Sequence, residues 1–493
     1  MTTPLHLFNS LTRQMEQFRP VHAHEARVYT CGPTVYNYPH IGNMRAYVFA
    51  DLLGRTLSWK AYKLTHVINI TDVGHLTDDA DAGEDKLEKA AAAAKQSIWD
   101  VAAHYTQAYW ADVAALNIRA PAHWSIATDY VPAMIEFAQT IAAKHCYELD
   151  GGLYFDVSTV ADYGRLARAK TDEGEGRIEA VAGKRNAADF AIWRKTPPGE
   201  RRAMEWDSPW GKGAPGWHLE CSVMSGQLLG FPFDIHTGGI DHREIHHPNE
   251  IAQNQAFCGS DHSGAKLWMH NNFLVERSGK MSKSSGEFLR LQLLTDKGFS
   301  PVAYRLMCLQ AHYRSELEFS WDGLEAALTR LKRIVMGVAQ VKAQAHEDSG
   351  ELPEAPAKGW TLDSAHGEVG GALLPLLVQF DEAISDDLNS PLALTVFEDV
   401  LGMKRLDPAH KLQALAAMDA VLGLGVLTID RQALRLAPMG AAISEAEIEA
   451  TLARRKVARA AKDFATSDAL RDDLAAKGVE VMDGDPLAWE WKL

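Results

Sequence analysis

The segment from Arg27 to Ile70 constrains the fold more than any other part of the chain. Arg27 to Cys31 reads as a short buried strand, and it runs into a turn-rich loop from Gly32 to Pro39. Met44, Tyr47, Val48, Leu52, Leu53 and Leu57 then recur at the spacing of one helix face. Leu64 to Ile70 is a second strand, rich in β-branched and apolar residues. Strand, loop, helix and strand make a βαβ unit, whose crossover is expected to be right-handed. Open α/β sheets bind ligands outside the carboxyl ends of their strands, so the loop after Cys31 is the first place to look for a site.

The remainder reads as additions to that unit. From about Pro121 to Lys195 the texture changes, and Gly151 to Val157 looks like a hairpin edge. We expect an insertion over 121–205 that splits an α/β domain into 1–120 and 206–318. The sheet resumes with Phe233 to His236, a strand ending in Thr237-Gly238-Gly239, and a strand pair is expected within Trp268 to Val275. After Phe319 the pattern turns helical, giving a bundle over 319–427. A polar, Gly- and Pro-containing stretch from Ala343 to Gly371 interrupts it and reads as a linker. The segment 442–493 starts with a helix and ends with a possible strand at Val479 to Met482, a small α+β domain.

Five cysteines, Cys31, Cys146, Cys221, Cys258 and Cys308, are odd in number and widely spread. That argues against a disulfide framework and for a reducing cytoplasm, and it leaves thiols free for metal work. No run of eighteen apolar residues occurs, so no membrane partner is expected. Met1 to Ser10 lacks the features of a secretory signal. The formal net charge of −15 gives no support to a nucleic-acid partner, although an acidic protein can carry a local basic face.

Two short motifs suit phosphate. His40-Ile41-Gly42-Asn43 stands just before a helix. A histidine can donate to a phosphate oxygen, a glycine lets the backbone approach, and a helix N-terminus offers free N–H groups. Alone, such a tetrapeptide is common, and a satisfied loop histidine explains it equally well. Lys280-Met281-Ser282-Lys283-Ser284 is more specific; it is flanked by Gly279 and Gly286. Two lysines in such a loop can neutralise charge that develops on the β- and γ-phosphates as pyrophosphate leaves.

A third constellation suits a metal. Cys31, Cys221, His246 and Glu250 offer two thiolates, an imidazole and a carboxylate, a set fit for Zn²⁺. His246 and Glu250 are four apart and share a helix face. Spacing alone leaves other ligands open, His242 and His247 among them. It also leaves Cys31 as a plain buried residue and the histidines as a solvated face.

The two phosphate motifs resemble the HIGH and KMSKS signatures of class I aminoacyl-tRNA synthetases, with Asn43 in place of the second histidine. Cys31 to Tyr36, Gly216-Trp217-His218-Leu219-Glu220-Cys221-Ser222 and His246-His247-Pro248-Asn249-Glu250 look like cysteinyl-tRNA synthetases. So do Asn69-Ile70-Thr71-Asp72, Lys184 to Phe190, Trp206 to Gly211, Asp386 to Pro391 and Ala458 to Asp463. The likeness runs almost the whole chain. It implies a Rossmann-like class I catalytic domain with an insertion, an α-helical bundle and a C-terminal domain for anticodon recognition.

The resemblance further implies one Zn²⁺ held by Cys31, Cys221, His246 and Glu250. Cysteine would lie against Cys31, Gly32, Thr71, Trp217 and His236. ATP, carried with Mg²⁺, would lie against His40, Gly42, Asn43, Gly238, Gly239, Asp241 and Lys283. His40, Asn43, Lys280 and Lys283 would assist the chemistry. The implied partners are L-cysteine, ATP and tRNA(Cys), acted on by a cytoplasmic monomer. Arg454, Arg455, Lys456, Arg459, Lys462 and Arg471 would meet the tRNA. The chain departs from the pattern at Thr237, at Pro248 and at His242, where an apolar residue is expected. Two rivals stay open: a ligase joining cysteine to a small amine, and an inactive paralogue holding RNA or zinc. The long segment after Ser320 favours the synthetase.

Overall fold

The computed structural model describes residues 3–74, 86–167, 183–276, 279–280, 289–348, 359–369 and 371–493. At its centre is a five-stranded sheet built from β1 (Glu25–Thr30), β2 (Lys63–Ile70), β3 (His123–Ile126), β4 (Phe233–Gly239) and β5 (Ala265–Asn271). Its spatial order is β5-β4-β1-β2-β3, and every neighbouring pair is parallel. The chain runs outward from β1 through β2 to β3, then returns to lay β4 and β5 on the other side of β1. The direction of winding therefore reverses between β1 and β4, which places a ligand crevice at their carboxyl ends. β4 is buried along almost its whole length, as expected of a parallel strand covered on both faces.

Helix α1 (Ile41–Trp59) crosses from β1 to β2. His40 is its N-cap: the imidazole accepts from the Gly42 N–H, and the Asn43 side chain accepts from the His40 N–H, a capping box. The helix is buried nearly all round, because it lies between the sheet and the helical bundle. A network of buried charges ties these layers. Asp51 of α1 accepts from Arg55 Nε at 2.7 Å and from Arg305 Nη2 at 2.7 Å, with Arg119 Nε at 3.6 Å. Arg305 also donates to the carbonyl of Leu422, at the end of the bundle helix Pro408–Leu422, and to those of Leu116 and Asn117.

Within 121–205, assigned from sequence to the insertion, the structure places His123–Ile126 in the main sheet, paired with β2. Beyond it an antiparallel sheet forms from Cys146–Leu149, Gly152–Phe155, Phe190–Lys195 and Gly213–Pro215. Gly152 allows the close pairing: a Cβ there would lie 2.0 Å from the Trp193 carbonyl, and φ is +134°. Its last strand leads directly into helix α2 (Trp217–Leu229), and β4 is followed by helix α3 (His246–Cys258).

The expected strand pair in Trp268 to Val275 divides between two sheets. β5 belongs to the main one, while Leu274–Glu276 pairs with Gly279–Lys280 and Leu317–Glu318. The bundle contains Trp321–Asp348, Leu362–Glu368, Leu374–Ser385, Ser390–Gly402 and Pro408–Leu422. The stretch 343–371 is thus not wholly a linker. The first helix continues to Asp348, and Trp360, Leu362 and Ala365 are buried anchors inside the polar run. Near the C-terminus, Glu445–Ala460 and Phe464–Ala476 pack on the antiparallel strands Val479–Val481 and Trp489–Trp491 over a separate small core. No helix among the described residues is long and apolar enough to cross a membrane.

Candidate active site and metal centre

A cavity of about 430 Å³ opens at the carboxyl ends of β1 and β4, where the winding reverses. Cys31, Gly32 and Trp217 line one end; His40, Gly42 and Asn43 line the wall formed by the start of α1. Gly239, Asp241 and His242 close it from the β4 side, and Asn271 to Leu274 from the end of β5. Residues drawn by the sequence from distant segments thus share one space.

Donor atoms of Cys31, Cys221, His246 and Glu250 lie within 4.8 Å of one another, and all four side chains are buried. Cys31 comes from the end of β1, Cys221 from α2, and His246 and Glu250 from successive turns of α3. The two Sγ atoms stand 4.0 Å apart. Glu250 Oε1 is 3.1 Å from His246 Nε2 and 3.9 Å from Cys31 Sγ. Two thiolates about 2.3 Å from one tetrahedral zinc would be about 3.8 Å apart. The separation and the chemistry of the donors therefore fit a single Zn²⁺.

The charges of this cluster are mutually adjusted. Burial pushes the Cys31 thiol well up, with Cys221 beside it adding to the shift. Cys221 is held down at about 7, first by the hydrogen bond from Cys31, against the cost of burial and with help from His246. Burial also opposes charge on His246 and on Glu250. Even so, Cys221 and Glu250 lift His246 to about 10, and His236 with His246 draws Glu250 down to about 2.

The ligand groups are held by a second layer. His246 Nδ1 is 2.8 Å from His218 Nδ1, which leaves Nε2 turned to the cluster. His247 Nε2 lies 3.3 Å from Cys31 Sγ, and its Nδ1 meets His270, which in turn meets Ser10. His236 Nε2 bonds Glu250 Oε2 at 2.9 Å. Cys31, His236, His247 and Glu250 form a second compact set that overlaps the first. These histidines are not a solvated face: His236, His246 and His247 are all buried.

The other expected residues are distributed as follows. Gly32 donates its N–H to Asn69 Oδ1 at 2.7 Å, and a Cβ there would fall 1.5 Å from the Asn69 carbonyl oxygen, so only glycine fits. Trp217 stands over His246, with ring centroids 4.5 Å apart. Thr71 Oγ1 donates to Glu220 Oε2 and accepts from Asn69 Nδ2. Thr71, His236 and Gly238 are not among the residues that line the cavity. Lys280 lies in the short strand Gly279–Lys280. Lys283 and the rest of its motif, 281–284, fall outside the described residues.

Sequence reasoning assigned no role to Asn69, Glu220, His270 or Asn271, which complete the surroundings. A histidine and an asparagine ending the apolar run Leu267 to Met269 of the strand Ala265–Asn271 were the available signal. On the C-terminal helices, Arg455 is buried and paired with Asp483, Arg459 also meets Asp483, and Arg471 meets Asp468 and Asp472. Arg454, Lys456 and Lys462 remain exposed.

Comparison with known proteins places this architecture. Residues 17–329 match the family model for the class I (C) tRNA synthetase catalytic domain, and residues 444–486 match the cysteinyl-tRNA ligase anticodon binding domain. A cysteine–tRNA ligase of Novosphingobium aromaticivorans is 75% identical over 498 residues, covering 100% of this chain and 98% of the relative. One from Zymomonas mobilis is 54% identical over 507 residues, with the same coverage. Among solved structures, Mycobacterium tuberculosis methionyl-tRNA synthetase bound by methionyl-adenylate superposes with a TM-score of 0.52 at 14% identity, covering 80% of this chain and 89% of that one. That likeness supports the fold alone. The chain belongs to the cysteinyl-tRNA synthetase family of class I aminoacyl-tRNA synthetases.

Proposed function

We propose that this chain activates L-cysteine with ATP to cysteinyl-adenylate and passes the cysteinyl group to tRNA(Cys), selecting its substrate through zinc. The observation that carries the reading is the cluster of Cys31, Cys221, His246 and Glu250, whose member Cys31 lines the cavity that His40, Gly42, Asn43 and Asp241 also line. The 75% identical cysteine–tRNA ligase supports it independently.

Cys31, Cys221, His246 and Glu250 hold the ion, the set with two thiolates suiting zinc better than the overlapping set with one. Zn²⁺ bound there would supply a soft Lewis acid that takes a thiolate far more readily than an alcohol, a distinction that a pocket based on shape alone makes poorly. Gly32 and Trp217 border the substrate cysteine, while Thr71 and His236 fix the groups behind it. Asp241 accepts from the ribose hydroxyls, and Gly239 lets the nucleotide approach the backbone. The cysteine carboxylate attacks the α-phosphorus, the bond to the bridging oxygen breaks, and pyrophosphate leaves with Mg²⁺. His40 and the α1 N-terminus hold the phosphates, and Lys280 and Lys283 balance the charge that develops on them. No side chain serves as nucleophile; the catalysis is positioning and electrostatics. The adenylate is then carried to a terminal hydroxyl of tRNA, whose far end meets the segment 442–493.

Cysteine-dependent ATP–pyrophosphate exchange and charging of purified tRNA(Cys) test the reading together. Both activities are expected, with serine rejected. Exchange without charging would favour a small-amine ligase, and neither activity would favour a binding paralogue.

A further inference from the structure

We infer that His242 is a further catalytic residue. Its Nε2–H donates a hydrogen bond to the junction where the cysteine carboxylate meets the α-phosphate. The inference rests on the cavity being the adenylation site.

His242 lies on the short turn Ile240–Arg243 that follows β4, immediately after Asp241, and it lines the cavity. Its ring meets Trp217 edge-on, with centroids 6.3 Å apart, and stands 5.1 Å from the ring of His246. It therefore occupies the boundary between the thiol end of the cavity and the nucleotide end beside Asp241. That boundary is where the acyl-phosphate bond has to form.

The ring is seated by packing. A Cβ on Gly238 would lie 2.7 Å from His242 Nδ1, so the absent side chain at Gly238 is what admits the imidazole. Nδ1 is fully buried and has no hydrogen-bond partner. A buried orphan N–H is rarer than a buried orphan lone pair, so the proton belongs on Nε2. Among the described residues no protein hydrogen bond to this ring is present. Buried polar groups that serve structure are ordinarily hydrogen-bonded, and a leucine would close the same wall without this cost.

Asn43 stands where a second imidazole would be expected, and its Oδ1 is committed to the His40 N–H in the helix cap. An imidazole N–H on the β4 side gives the developing oxyanion a hydrogen-bond donor beside Asp241.

The test uses the full-length, zinc-loaded protein. His242→Leu and His242→Gln are compared with wild type in cysteine-dependent ATP–pyrophosphate exchange, with zinc content and thermal midpoint measured on the same samples. Gln carries an amide N–H to about the reach of Nε2 and serves as the conservative variant. His242→Leu is expected to lower kcat by about tenfold to a hundredfold, the range for loss of one such donor. KM for cysteine and zinc content should stay near wild type, and His242→Gln should recover most of the rate. The inference is overturned if His242→Leu exchanges at the wild-type rate, if its loss follows loss of zinc, or if Gln is as poor as Leu. Wild-type protein with no cysteine-dependent exchange would instead overturn the reading of the cavity itself.

Discussion

Asp51→Asn is the most informative perturbation of the framework that carries the site. Its carboxylate is buried on α1 and faces three guanidinium groups, Arg55, Arg305 and Arg119. Burial alone would raise its pKa, but these three cations hold it at about 2, below its ordinary 3.8. A carboxyl depressed in the folded state contributes stability that is present above about pH 4 and is lost as pH falls toward 2; the shift corresponds to about 2 kcal/mol. The substitution costs more than that, because it leaves buried guanidinium groups facing a neutral amide. About 3–5 kcal/mol is expected for breaking a buried ion pair from one side. Urea unfolding at pH 7 measures it, and repeating the titration toward pH 3 should show the variant losing less stability with acid than wild type. Arg305→Met should cost a similar amount, and the double variant distinctly less than the sum, because the stranded charges are then fewer. An Asp51→Asn protein within about 1 kcal/mol of wild type would refute the reasoning.

Other expectations follow from single contacts. His218→Phe removes the partner of His246 Nδ1 and should weaken zinc affinity by about 10- to 100-fold, read by competition with a chelator. Burial lifts Asp72 to about 6, with Glu220 adding to the rise and Thr128 opposing it. A raised carboxyl favours the folded state below about pH 4 and loses that advantage as pH rises through about 6. Asp72→Asn should therefore gain on wild type by about 3 kcal/mol between those values, and a thermal-midpoint difference that is flat with pH would contradict this. The exposed trio Arg454, Lys456 and Lys462, changed together to alanine, should raise KM for tRNA and flatten its salt dependence. Pyrophosphate exchange should be unaffected, because Arg454 and Lys456 lie on the C-terminal helix Glu445–Ala460 and Lys462 in the turn just after it.

What the sequence disclosed was local pattern and chemical type. The α1 stripe and the strands around it have strong periodicity, and Cys31, Cys221, His246 and Glu250 are residue types that make a metal set recognisable. β3 escaped notice because it is four residues long, His-Trp-Ser-Ile, and is a strand only because β2 pairs with it. Trp489–Trp491 is shorter still and takes its structure from Val479–Val481. Arg455 looked like a tRNA contact, since its partner Asp483 is 28 residues away and no spacing rule predicts the pair. Likewise, the bonds of Thr71 to Glu220 and of His236 to Glu250 are made by tertiary packing that no spacing rule predicts. The histidines looked compatible with a solvated face because periodicity cannot tell a polar helix face in water from one buried in a site.

The central claim is that the substrate thiol is chosen at a zinc held by Cys31, Cys221, His246 and Glu250. X-ray absorption at the zinc edge of the purified protein, with and without L-cysteine, tests it most directly. The account predicts two sulfur neighbours at about 2.3 Å in the free enzyme, a third on addition of cysteine, and no third sulfur or shift with serine. A zinc shell that keeps two sulfurs when cysteine saturates the protein, or protein active in cysteine-dependent exchange with no zinc bound, would contradict it.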